Sequence, residues 1–370
     1  MRKTIAASCL SLILAVAGSA AAYGDQIFAD PINTPAITDQ APAQQPLIGL
    51  TTTPTHIVAI GSRGVIITGS LQGAEWKQAS VPVQSDLTDV FFLNSKIGWA
   101  VGHDGVILKT IDGGQKWIKL ADGVTLRSEF ETYYNAKIKS SAAQPSLNTS
   151  TQSTGLAADL TEIKENFDPG PILPWLGIWF VSSTTGYVVG PFGDIARTDD
   201  GGKSWVPWLD HIDNPNFYDL NAIQAVAGSL FIVGEQGGVY LYDPTENKFI
   251  NRSTPYAGPL FGICGNAQEL LVFGLRGHIY RSTDLGKSWV ESADPSFSTI
   301  MSGVELPNGD FALVTVDGNI LLSTDGGVSF KVLPQVMKAA LSDVVYSQRK
   351  LIMTSLAGIR TVNVSDLLQN

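Results

Sequence analysis

A short phrase recurs four times along this chain and constrains its fold more than any single residue does. It runs from Thr110 through Asp112 and Gly114 to Trp117, and again from Thr198 through Asp200 and Gly202 to Trp205. It returns from Ser282 through Asp284 and Gly286 to Trp289 and, softened, from Ser323 through Asp325 and Gly327 to Phe330. The shared pattern is S/T-x-D-x-G-x-x-W/F. Asp and Gly are turn formers, Asp through side-chain bonds to its own backbone and Gly through access to positive φ. The hydroxyl residue ends a β-rich run and the aromatic begins the next one. Each phrase therefore reads as a hairpin carrying its own packing anchor.

This pattern resembles the Asp-box of the bacterial neuraminidase repeat, which sits in β-propeller blades. A second phrase, Gly-x-x-Gly between two apolar runs, lies upstream of each copy. It is clear at Gly61–Gly64, Gly102–Gly105, Gly190–Gly193, Gly234–Gly237 and Gly274–Gly277, whereas Thr315–Gly318 and Ser355–Gly358 keep only the second glycine. Start-to-start spacings are 41, 88, 44, 40, 41 and 40 residues. A four-stranded propeller blade needs roughly 40–45 residues. Seven turns therefore predict an all-β, seven-bladed β-propeller over 46–370, and the long interval holds an insertion between blades 2 and 3. The Asp-box is weak in blade 1, before Trp76, and in blade 4, around Asp243; blade 7 lacks it.

Strand order within a blade gives the ring two faces. The Gly-x-x-Gly phrases fall between second and third strands, on the front face shared with the connections from blade to blade. The Asp-boxes join third to fourth strands and fall on the back. The insertion, residues 122–172, leaves a fourth strand and enters a first, so it emerges at the front. Leu126, Phe130, Tyr133, Tyr134 and Ile138 follow helical spacing, as do Leu156, Leu160, Ile163 and Phe167, with a polar stretch between them. Two readings stand: a helical hairpin packed on the rim, or a docking arm over the axis. Long insertions in regular arrays tend to carry function, so Phe130, Tyr133 and Tyr134 join the candidate partner-binding residues.

Met1-Arg2-Lys3, the apolar run from Ile5 to Ala17 and the alanines at 20–22 read as a secretory signal peptide, 1–22. Its removal leaves 22 basic against 34 acidic residues. That balance argues against nucleic acid and anionic membrane surfaces as partners. It also leaves Cys264 as the single cysteine, without an intrachain disulfide partner. Residues 23–45, rich in Pro, Ala, Gln and Asp, read as an N-terminal arm and a candidate for the outermost strand of blade 7.

The Asp-box carboxylates Asp112, Asp200, Asp284 and Asp325 read as turn fasteners, one per blade, and not as catalytic groups. Trp117, Trp205, Trp289 and Phe330 read as packing between neighbouring sheets. A sialidase-like glycosidase needs clustered arginines, a Tyr nucleophile paired with Glu and an Asp acid/base. Arginine is scarce, and only Arg63 and Arg276 occupy equivalent front turns. The four histidines have no metal-ligand spacing, so neither metal nor cofactor is expected. The interaction candidates are front-turn residues: Arg63, His103, Asp104, Phe192, Glu235, Gln236, Arg276 and Asp317.

Two stretches, Leu87 to Trp117 and Trp179 to Trp205, read F-x-x-x-x-x-G-W/Y-A/V-V-G-x-x-G-x-I-x-x-T-x-D-G-G-x-x-W. In this they resemble the photosystem II stability/assembly factor family of exported seven-bladed propellers, and the resemblance spans most of residues 46–365. It implies a non-catalytic scaffold in the periplasm or thylakoid lumen. The partner it implies is a membrane protein or envelope complex, such as a photosystem II subunit or a transporter. The chain departs from the family in its few front-face arginines and its long insertion. A carbohydrate-active propeller, hydrolase or glycan binder, and a passive structural repeat protein are the alternative readings.

Overall fold

Seven antiparallel sheets ring a central channel in a computed structural model that describes residues 30–142, 149–167, 170, 173–293, 295–333 and 338–367. The innermost strands are Leu47–Thr52, Leu87–Phe92, Gly177–Phe180, Leu220–Val226, Leu260–Gly265, Ile300–Glu305 and Leu341–Ser347. Each packs on the next, and the last packs on the first. Within every blade the strands follow chain order from the axis outward. This is the seven-bladed propeller that the repeat predicts. The second strands, such as Ile57–Gly61, Gly98–Gly102 and Phe311–Thr315, are buried throughout, because both their faces lie between neighbouring sheets. No described helix is long and apolar enough to cross a membrane.

The Asp-box is a closed hydrogen-bond knot. In blade 3 the Thr198 hydroxyl donates to Asp200 Oδ1 at 2.9 Å and accepts from the Gly202 amide at 2.9 Å. The same Asp200 oxygen accepts from the Lys203 and Ser204 amides at 2.9 and 3.0 Å, while the Ser204 hydroxyl donates to Oδ2 at 2.6 Å. Asp284 and Asp325 repeat the arrangement, and Asp112 does so without the hydroxyl, since Lys116 stands where Ser204 does. Burial works against the charged form of Asp200, but the donors from Ser204, Thr198 and Lys203 outweigh it and hold the carboxyl down at about 2. The aromatic closes the turn: Trp117 and Trp205 indole N–H groups donate to the carbonyls of Gly114 and Gly202. Trp289 departs from this, donating across to the Arg252 carbonyl of the preceding blade.

Blade 7 has three strands, ending at Arg360–Asn363, and described residues 30–45 add no fourth. The arm carries Pro31, Pro35 and Pro42, which lack the amide that a strand ladder needs. It forms two short 3-10 turns, Pro31–Asn33 and Pro42–Gln44, and lies across three blades instead. Ile32 is buried with Val81 and Val83 between blades 1 and 2, and the Ile359 amide of blade 7 donates to the Ala43 carbonyl at 2.9 Å. The signal-peptide segment, 1–22, and arm residues 23–29 lie outside the described residues.

Two buried carboxylates fasten the innermost strands across seams. Asp343 of blade 7 accepts from the Leu50 amide of blade 1 at 2.7 Å and from Ser302 of blade 6 at 2.5 Å. Asp89 of blade 2 accepts from the Ile178 amide of blade 3 at 2.8 Å. Each follows the bulge of its strand, where blades 1, 4 and 5 carry Gly49, Ala222 and Gly262. The seams so fastened include the closure of the ring and the break at the insertion, and Ser302 adds the seam between blades 6 and 7. Burial pushes Asp89 up to about 7 and Asp343 up to about 6 despite these donors. Both line the central channel, about 410 Å³ in volume. Cys264 is buried, and burial pushes its thiol far up, so it remains a protonated core residue.

Candidate functional site

The front face is built by one turn used five times. At Ser62–Val65, His103–Val106, Pro191–Asp194, Glu235–Gly238 and Leu275–His278 the fourth amide bonds back to the first carbonyl. The second residue of each lies in left-handed backbone: Arg63, Asp104, Phe192, Gln236 and Arg276 have φ of 53–59° and ψ of 20–38°. The third is a glycine with φ of 65–78°. Two successive positive φ values define a type I′ turn, which favours Asn or Asp followed by Gly. Only Asp104 fits that preference. A bulky residue in this region costs about 1–2 kcal/mol, so Arg, Phe and Gln stand here at a local penalty. Blades 6 and 7 turn differently: Gly318 and Gly358 are fourth residues and alone have positive φ.

The first glycine of each phrase serves packing and not conformation. Gly274 has extended backbone that any residue adopts, but a Cβ there would lie 2.1 Å from the Pro259 carbonyl oxygen. The missing Cβ lets the innermost strand close up on the turn. A fastener that sequence reasoning missed sits at the same place. In blades 2, 4 and 6 the residue before the innermost strand bonds its carbonyl to its own blade's turn and its side chain to the preceding blade's turn. Asp86 bonds His103 and Arg63 amides in this way, and Asp219 bonds Glu235 and Phe192 amides. Thr299 bonds Val316 and Arg276 amides likewise. A polar residue just before the strand starts Leu87, Leu220 and Ile300 was its only sequence signal.

These bonds leave the turn side chains displayed on a rigid base. Arg63, His103, Phe192, Gln236, Arg276 and Asp317 are exposed. Asp104 and Glu235 are half-buried, and Asp104 accepts from the Ser85 hydroxyl at 2.6 Å. Phe192 is 48% exposed, and Phe297, in the connection from blade 5 to blade 6, is 80% exposed at φ 51°. No periodic signal marked Phe297. Most other arginines that bond across blades are committed: Arg197 lies 4.7 Å over Trp208 and binds Asp199, and Arg281 binds Glu269 and the Gly326 carbonyl.

The insertion is a helical hairpin, α1 (Gly123–Ala142) and α2 (Thr149–Phe167). It packs on the outer edge strand of blade 3, Val206–Pro207, on Leu209–His211 and on the turn at His103–Gly105. None of its residues lines the channel. It is a rim-packed hairpin, and it covers an edge strand only two residues long. Three expected contact residues are corrected by this packing. Phe130 and Tyr134 are buried at 1% and 0% exposure, and Tyr133 is half-buried under Lys137. Their helical spacing marks the face that α1 turns inward, toward Leu156, Ile163, Trp205 and Trp208.

A polar cleft of about 290 Å³ opens on the flank of blade 4, lined by Asp213, Asn214, Tyr218, Glu235, Gln236 and Tyr240 among others. It brings Glu and Tyr together, which the sequence did not reveal. No arginine lines it, so it lacks the carboxylate clamp of a sialidase site. Among the described residues no group of three or more His, Cys, Asp or Glu is placed to hold a metal ion.

Fold and turn ring together define a seven-bladed Asp-box propeller with a rigid, side-chain-bearing front. Residues 69–143 match the family described as Photosynthesis system II assembly factor YCF48. Over these residues the chain is similar to the photosystem II stability/assembly factor-like propellers. It is 38% identical over 66 residues to the chloroplastic photosystem II stability/assembly factor HCF136 of Cyanidioschyzon merolae, covering 16% of this chain and 15% of that protein. It is 30% identical over 184 residues to the photosystem II assembly protein Ycf48 of a Synechococcus species, covering 47% of this chain and 52% of that one. The chain thus spans about half, or less, of these two relatives. Among solved structures, YCF48 bound to D1 peptide superposes with a TM-score of 0.60 at 15% identity, covering 89% of this chain and 98% of that one.

Proposed function

We propose that this protein is a non-catalytic, exported scaffold or assembly factor whose front face holds an extracytoplasmic segment of a membrane protein or envelope complex. The observation that carries the reading is the run of type I′ turns bearing Arg63, Phe192, Gln236 and Arg276 where Asn would be easier. Strain kept at equivalent positions of one face, with the side chains exposed, is a feature of recognition surfaces. Two cations, an exposed aromatic and an amide suit an extended polypeptide with apolar and acidic groups. The likeness to YCF48 bound to D1 peptide supports a peptide as the occupant. A photosystem II subunit is the partner in a photosynthetic source, and a transporter in another. Periplasm or thylakoid lumen follows from the reading of 1–22 as a signal peptide.

Front-face and back-face variants separate this from the passive reading. Changing Arg63 and Arg276 to Glu and Phe192 to Ser is expected to weaken capture of the membrane partner from solubilised envelopes at least tenfold. Changing the exposed back-face residues Ile111 and Val328 to Ser is expected to leave it unchanged. Equal capture by both variants would remove the front face from the account.

A further inference from the structure

The contact between the hairpin and blade 3 contains carboxyl groups that the described residues around them do not neutralise. Asp194, directly after the Pro191–Gly193 turn, is 3% exposed and among the described residues its carboxyl accepts one amide hydrogen bond, from Asn166 of α2 at 3.1 Å. The charged group facing it from α2 is Glu162, of like sign. Asp159 of α2 is 8% exposed, and its Oδ2 has no hydrogen-bond partner among the described residues. Asp210 and Lys137 face it, but Lys137 is already paired with Asp210 at 2.5 Å. Tyr134 of α1 also adjoins Asp159, and His211 adjoins Asp210. The Trp208 indole N–H, buried in the same contact, also has no partner among the described residues.

An unpaired carboxylate with this burial opposes the docked arrangement, whereas a carboxylic acid does not. We infer that the α1–α2 hairpin is a proton-dependent cover: Asp194 and Asp159 hold protons while it is seated on blade 3, and their ionisation loosens it. Burial, first among the causes, lifts Asp194 to about 7 and Asp159 to about 6. Both sit above the ordinary value, so the seated form keeps protons that the released form gives up. Seating is therefore strongest at acid pH, weakens as pH rises above the ordinary carboxyl range, and carries its full penalty above about 7. Release uncovers Trp208 and Leu209, and it leaves the ring closed, because the hairpin contributes no residue to the channel or the innermost strands.

Hydrogen exchange on the full-length protein, corrected for intrinsic rates, tests this at pH 5 and pH 8. Amide protection in α1 and α2 is expected to fall at least tenfold between the two, with much smaller changes in the blade strands. The double variant Asp159→Asn, Asp194→Asn is expected to hold protection constant. Should that variant not fold, Asn166→Asp places a second carboxylate against Asp194 from the hairpin side and is expected to deepen the fall. Constant protection in the wild type, an unchanged fall in the double variant, no added fall in Asn166→Asp, or a fall equal in every blade would each overturn the inference.

Discussion

Trp99→Ala is expected to lower the unfolding free energy by about 3–5 kcal/mol, read as a reduced urea midpoint by far-UV circular dichroism. Trp99 stands on the second strand of blade 2 and is fully buried. Its ring lies parallel to Phe180 of blade 3 at a centroid distance of 3.6 Å, and its indole N–H donates to the Gly201 carbonyl at 3.2 Å. Lys109 reaches the same carbonyl at 2.9 Å, its ammonium 4.9 Å from the indole centroid. One side chain therefore joins two blades through apolar area, stacking and a hydrogen bond. The seam is also the one interrupted by the insertion, so its two blades are joined through the α1–α2 hairpin and not by a short loop. Trp99→Phe keeps the stacking and loses the hydrogen bond; about 1–2 kcal/mol is expected. A loss below about 1 kcal/mol for Trp99→Ala would mean that the seam is held elsewhere.

Phe130→Ala is expected to cost about 3–4 kcal/mol, concentrated in the hairpin. Phe130 meets Phe167 edge to face at 6.3 Å and joins Leu126, Tyr134 and Ile163 in the core beneath α1 and α2. Because the hairpin touches the ring at one flank, the loss should appear as cleavage within 123–167 by a protease at least tenfold faster, while the blades persist. This outcome separates two roles. A docking residue would change partner capture and leave proteolysis alone. A packing residue does the reverse, and the geometry places Phe130 in the second group.

Repeat spacing made the fold legible because each blade needs its own turn chemistry, and that chemistry is local in sequence. Thr198, Asp200, Gly202 and Trp205 lie within eight residues, and so do their bonds. What was hidden is bonded across long sequence distances. Asp343 to Leu50, Asp89 to Ile178 and Asp219 to Phe192 join residues from different blades, and an isolated Asp gives no sign of which distant amide it meets. The aromatics of α1 were legible as one face of a helix; their spacing could not say whether that face met solvent or Trp208. Edge position suits the arm to complete blade 7, but over the described residues 30–45 its prolines withhold the amides a strand must offer. On the front face the candidate residues were legible as turn residues, and their left-handed backbone emerged only from the structure.

Site-specific photo-crosslinking at the turn residues tests the central claim most directly. A crosslinker placed in turn at Phe192, Gln236 and Arg276 on the front, and at Ile111, Leu285 and Val328 on the back, would be activated on intact envelopes. The expected result is a shared membrane-protein adduct from the front positions, mapping to one extracytoplasmic segment, with none from the back. Adducts from the back positions alone, or none from either face, would contradict a front-face platform.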